Sequence, residues 1–292
     1  MYRRIVVTAL VIVLSVVAIY ADRGLIPFEE HIKIFEPNQR AMIAWSGSEE
    51  ILLLSTDLSA SDSTMVLEVL PLPSEPEVKK GDLETFTKAV DLINSRMVLD
   101  LREGRSKSYD KAPPPAEVTF HKKIGAHDIS VTHLLHTKGF IEWVKEYLKS
   151  IGVEKDIVSN EMKKLIEEYT KDGFAWFVFD VVSLGKETVT NEPIQYRFKN
   201  KSLFFPLKIT KTGEGYTSIE LLILTPRLLR NFPGVPIDMI ELKHKPITIS
   251  DEELKELNED MYELLGKYED MKLRIWNIEG ELKSFDKDLV AN

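Results

Sequence analysis

Residues Ile5 to Ala21 form an apolar run interrupted only by Thr8 and Ser15, preceded by Arg3 and Arg4 and followed by Asp22 and Arg23. Such a stretch has no polar face to offer water, so the folded body is expected to be built from about Asp22 onward. The basic start, apolar run and small residue before Asp22 match an export signal whose arginines stay on the cytoplasmic side while the rest is translocated. At 17 residues the run sits at the lower limit of the ~17–25 that span a bilayer as a helix, which leaves a cleaved signal peptide and a retained anchor both open. Ile19-Tyr20-Ala21 is an acceptable cleavage site, with Ile19 bulkier than the preferred alanine. No second apolar span follows, and the absence of cysteine excludes a lipid-modified N-terminal cysteine. The expected location is extracytoplasmic, either secreted or anchored in the membrane through residues 5–21.

Charge narrows the partners. The chain carries 38 basic against 47 acidic residues, and losing residues 1–21 removes Arg3 and Arg4 and makes the remainder two charges more acidic. Phosphate binding calls for clustered Lys and Arg, and no such basic run occurs, so nucleic acid is not an expected partner. Roughly 270 residues can bury a core without disulfides. Thiol catalysis and cysteine metal sites are excluded, and no cofactor motif is present.

Alternation of apolar and polar residues predicts strands over 41–45, 50–56 and 65–70, joined by tight turns at Ser46-Gly47-Ser48 and around residues 57–64. Pro71, Pro73 and Pro76 then stop the sheet, and Asp82 is positioned to cap a helix carrying Leu83, Phe86, Val90 and Ile93. Residues 103–117 are charged and proline-rich, which predicts an extended linker or a surface loop. Residues 117–135 again read as strand. Amphipathic helices follow from Thr137 to Ile151, ended by Gly152, and over about 155–171. The run Phe174 to Val182 predicts a buried central strand. Further strands fit 194–199, 203–210 and 216–224, the last two as a hairpin, with Pro206 favouring an edge. Ser250-Asp251-Glu252-Glu253 is a capping box opening a helix to about Lys267, and a strand over 271–278 follows. Strands and helices do not alternate regularly. The pattern therefore predicts an α+β fold of mixed or antiparallel sheets with a few packed helices, its main domain at 22–235 and a C-terminal β-α-β-like extension at 236–292.

The stretch from Asn38-Gln39-Arg40-Ala41-Met42-Ile43-Ala44-Trp45 through Ile51-Leu52-Leu53-Leu54-Ser55-Thr56 to Val66-Leu67-Glu68-Val69-Leu70-Pro71-Leu72-Pro73-Ser74-Glu75-Pro76 resembles the exported family catalogued as domain of unknown function 2330. Gly125-Ala126-His127-Asp128-Ile129 and Asp172-Gly173-Phe174 look similar as well, so the resemblance spans roughly Asn38 to Thr225. It implies export and a shared fold, and it carries over no catalytic residue.

His121, His127, His133 and His136 fall close together with Asp128 beside them, which raises a metal site or a hydrolytic centre. On one strand His127 and His133 share a face but lie ~20 Å apart at 3.3 Å per residue, too far for one ion. His133 and His136 can meet only at helical spacing, and ordinary strand-end histidines are the plainer alternative. Asp180 interrupts the apolar run 174–182, and a buried carboxylate there suits acid/base work. The plainer alternative puts it at the strand end, in water or paired to an arginine such as Arg197. The hydroxyl-rich stretch 57–64 reads as a solvated turn or a weak calcium site. The aromatics of 174–179 and 196–205 read as core before they read as a ligand groove. Asn200-Lys201-Ser202 is a glycosylation sequon at Asn200.

Three functional classes follow. The leading one is a non-enzymatic extracytoplasmic binding or interaction module with a cell-envelope protein as partner. The second is a secreted or anchored hydrolase using Asp180 or the cluster around His127 and His133, with Asp128 as a further catalytic candidate. The third is a metal- or ligand-binding sensor, which needs the loops around residues 57–64 and 103–117; His133 and His136 are the metal candidates.

Overall fold

The computed structural model describes residues 24–29, 31–35, 39–102, 127–134, 137–150, 152–153, 157–213, 215–229 and 232–292. The apolar segment 1–21, the charged stretch 103–117, His121 and His136 lie outside the described residues. In chain order the strands are β1 (Gly24–Pro27), β2 (Ile34–Phe35), β3 (Gln39–Trp45), β4 (Glu49–Ala60), β5 (Thr64–Leu72), β6 (Glu77–Lys80), β7 (His127–His133), β8 (Trp176–Leu184), β9 (Val189–Thr190), β10 (Ile194–Lys199), β11 (Leu203–Phe205), β12 (Tyr216–Thr225), β13 (Ile240–Leu242), β14 (Ile247–Ile249), β15 (Met271–Glu281) and β16 (Leu289–Ala291). The helices are α1 (Leu83–Arg102), α2 (Thr137–Ser150), α3 (Asn160–Lys171), α4 (Asp251–Leu257) and α5 (Glu259–Leu265).

The fold is α+β. A large mixed sheet runs β13-β15-β12-β3-β4-β10-β6, with β14 on β15 and with β2 and β9 on β4; a four-stranded antiparallel sheet runs β1-β5-β8-β7. Among the described residues the one parallel pairing in the large sheet joins β12 to β3, from Ile219↔Gln39 to Leu224↔Ala44. Side-chain alternation along β3 explains why all of Ala41 to Trp45 is buried: Ala41, Ile43 and Trp45 face the small sheet, and Met42 and Ala44 face α1, α4 and α5. A sheet covered on both faces needs apolar residues at every position rather than at alternate ones. The far face of the small sheet is covered by α2 and α3, through Phe140, Val144, Leu165 and Ile166 against Leu67, Val69, Phe177 and Phe179. The result is four layers, helix on sheet on sheet on helix.

Local signals did set several boundaries. Glu84 N donates to the Asp82 carboxylate at the start of α1, and Ser250 and Glu253 form the reciprocal capping box of α4. Elsewhere the structure departs from expectation. The helix predicted to reach Lys267 is two, because Asn258 is extended and its side chain caps α5 by accepting from Met261 N. The helix predicted from 155 starts at Asn160, where the Ser159 side chain caps it. Pro206 lacks the N–H a strand needs, so the strand predicted over 203–210 stops at Phe205 and a 3₁₀ turn spans Lys208–Thr212. Its partner is β16 rather than β12. β5 leaves β4 after the turn and pairs instead with β1 and β8. The segment from 236 onward, expected as an extension, supplies β13, β14 and β15 to the large sheet and β16 to β11.

The C-terminal segment is also tied down by Asp288, whose Oδ1 accepts from Tyr169 Oη and from Lys208 N, each at 2.8 Å. Burial pushes its carboxyl from 3.8 up to about 6. An acid raised in the folded state takes up a proton on folding, so its stabilising share is complete below about pH 4 and is lost as the pH rises through about 6. Tyr169 Oη and Lys208 N share one oxygen, which an amide carbonyl can replace, and the Leu207 backbone N–H is a further donor to the carboxylate. Asp288→Asn is therefore expected to be more stable than the parent by roughly 1–3 kcal/mol at pH 8, with the gap closing near pH 4. Urea midpoints across that range check it, and a variant less stable at every pH contradicts it.

Candidate functional site

The small sheet brings three ionisable side chains together on the face that meets the large sheet. Along β8, Phe177, Phe179 and Val181 turn toward α2 and α3, while Val178, Asp180 and Val182 turn inward. Asp180 stands directly opposite Glu68 of β5, and His127 of β7, paired with Val182, reaches Asp180 diagonally. His127 Nδ1 lies 2.5 Å from Asp180 Oδ2. One donor atom from each of Glu68, His127 and Asp180 lies within 4.8 Å of the others. The three are 1%, 3% and 2% exposed.

This trio interrupts an apolar interface in register. Val66 and Val182 belong to one cluster with Leu58 and Ala60, whereas Leu70 and Val178 belong to another with Leu54. Glu68 lies between Val66 and Leu70, and Asp180 between Val182 and Val178. Across the interface, Thr56 lies between Leu58 and Leu54 on β4, paired to Gln39 of β3. Asn191 joins the same level by donating its backbone N–H to Thr56 O. A polar layer thus crosses the sandwich, and the Thr56 hydroxyl, the Asn191 amide nitrogen and His127 Nε2 are buried in it without a hydrogen-bond partner among the described residues.

The other sequence candidates are placed apart from the trio. Asp128 points the opposite way along β7, is exposed and accepts from Tyr147 Oη at 3.1 Å. The Tyr147 phenol is pushed up to about 12, by burial first and then by that carboxylate. His133 lies at the far end of β7, exposed, stacked on Trp176 with ring centroids 4.5 Å apart, as the strand spacing requires. Asp180 is neither at a strand end nor paired with Arg197, which instead holds Glu49 at 2.8 Å. The Asn200 side chain hydrogen-bonds the buried Glu50, so a glycan there would compete with an internal contact. Asp62 accepts from Ser63 N and faces Lys186 in an ordinary turn. Phe177, Phe179, Tyr196, Phe198, Phe204 and Phe205 are core residues rather than a groove lining.

Glu68 was not singled out from sequence. Its signal equals that of Asp180: a carboxylate inside the apolar run Met65 to Leu70. Alternation alone assigns it to a solvated face, and only the covering sheet makes it buried. Chemically the trio can share protons or hold a cation. A bulky substrate has no access to it, and the surface grooves between α1 and α4 (about 250 Å³) and beside Glu75 and Arg197 (about 480 Å³) do not include it.

No protein-family model matches the chain, and no curated protein matches it. Among solved structures it is similar to baculovirus P35, at a TM-score of 0.45 and 11% identity over 91% of this chain and 99% of that one. It is also similar to a mutated baculovirus P35 after caspase cleavage, at a TM-score of 0.38 and 11% identity over 87% of this chain and 97% of that one. Likenesses at this level carry nothing about what this chain binds or does.

Proposed function

We propose that the chain is a non-catalytic extracytoplasmic module that binds an extended segment of a cell-envelope protein along β7, tethered to the membrane if residues 5–21 are retained. The observation that carries this reading is the margin of the small sheet. β7 is its terminal strand, and among the described residues no strand pairs with its outer side. Beside that margin Val131 is 39% exposed, with Ile129 and Trp176 only partly buried. An edge with unpaired backbone groups and an apolar side chain next to it suits strand addition, where the backbone supplies affinity and side chains supply selectivity. The sealed acid–histidine trio supports a non-catalytic role, because a general acid or base must come within hydrogen-bond reach of its substrate.

Hydrogen exchange on the tag-free chain, with and without detergent-solubilised envelope from its source cell, tests the proposal. Slowed exchange across residues 127–133 is expected, and Val131→Lys should abolish it while leaving the far-ultraviolet circular dichroism unchanged. Protection confined to other strands, or protection that survives Val131→Lys, sinks the β7 reading.

A further inference from the structure

We infer that Glu68, His127 and Asp180 form a binding site for one divalent transition-metal ion of the zinc class, held between the two sheets. Two carboxyl groups stand directly opposite one another in the ladder, nearly sealed from water, with one imidazole beside them. A divalent ion balances that set. The donors are one imidazole and two carboxylates with no thiolate, which suits zinc, manganese or ferrous iron better than calcium, an ion that takes six to eight oxygens.

A second observation points the same way. His127 Nε2, Thr56 Oγ1 and Asn191 Nδ2 are buried in this layer without hydrogen-bond partners among the described residues, so it holds more polar capacity than its own contacts use. His127 Nδ1 lies 2.5 Å from Asp180 Oδ2, and donors bound to one ion at ~2.0–2.2 Å sit about 3.3 Å apart, so loading moves these two groups apart by under about an ångström. Because the trio is sealed, the ion enters while the chain folds or when the terminal strand β7 opens.

The tag-free full-length protein, unfolded in urea with chelator, is refolded with and without Zn²⁺, freed of unbound metal and assayed for zinc content. One equivalent per chain and a raised melting temperature are expected, with uptake weakening as the pH falls. The near-isosteric Glu68→Gln and Asp180→Asn should weaken binding at least about tenfold, and His133→Ala should leave it unchanged. No retained zinc, unaltered binding in both carboxamide variants, or loss in His133→Ala each overturns the assignment. If the carboxamide variants do not fold, X-ray absorption of the zinc-loaded wild type decides. A nitrogen–oxygen shell with one imidazole supports the site, and a shell with two or more imidazoles overturns it.

Discussion

His127→Ala is expected to lower the stability of the metal-free protein by roughly 3–5 kcal/mol at neutral pH, the cost of removing one partner from a buried charged set. Glu68 and Asp180 would then face each other across the ladder, each nearly sealed from water, without the imidazole that lies 2.5 Å from Asp180. Replacing all three residues by leucine is the informative contrast. Where a buried ionic set is exchanged for apolar residues of similar volume, stability is often kept or raised. The triple variant should therefore recover most of what the single one loses, while binding no zinc. Urea denaturation of both proteins at pH 7 checks this. A loss below about 1 kcal/mol for His127→Ala would mean that the imidazole is not the counterpart of the two carboxylates.

Phe179→Ala should cost a similar amount for a different reason. Phe179 is fully buried on the helix-facing side of β8, its ring 4.3 Å from Trp143 and 5.4 Å from Phe140 of α2. Truncation removes both aromatic contacts and leaves a cavity under the helix, a change that costs about 3–5 kcal/mol in well-packed cores. The effect should be local as well as global. α2 also meets β7 through Tyr147 and Asp128, so amide exchange in residues 137–150 and 127–133 should accelerate together. Exchange in α4 and α5, which lie on the far side of the large sheet, should follow only the global change. Uniform acceleration across all five helices would contradict the layered packing described above.

Much of the local structure was legible because its causes are local. The Ser250 box and the Asp82 cap depend on a few neighbouring atoms, and each is visible in a short stretch of chain. Pairing was less legible. Two strands joined by a short turn favour a hairpin, yet β5 pairs with β1 and β8, and β11 pairs with β16. Those choices depend on burying two faces at once, which no window of sequence contains.

The same division runs through the candidate site. Sequence by itself determined the α+β class, the core identity of the run around Asp180 and the separation of His127 from His133, since strand rise sets that distance whatever the surroundings. Only the tertiary structure decided that Asp180 meets His127 and Glu68 and that all three are sealed. Period-two alternation states which residues share a face, but a carboxylate on that face is solvated or buried according to whether a second sheet covers it. In this protein the covering strands β3 and β4 adjoin β5 in the chain, but β7 and β8, which bring His127 and Asp180, come from far along it, so the chemistry of the site is set by long-range packing.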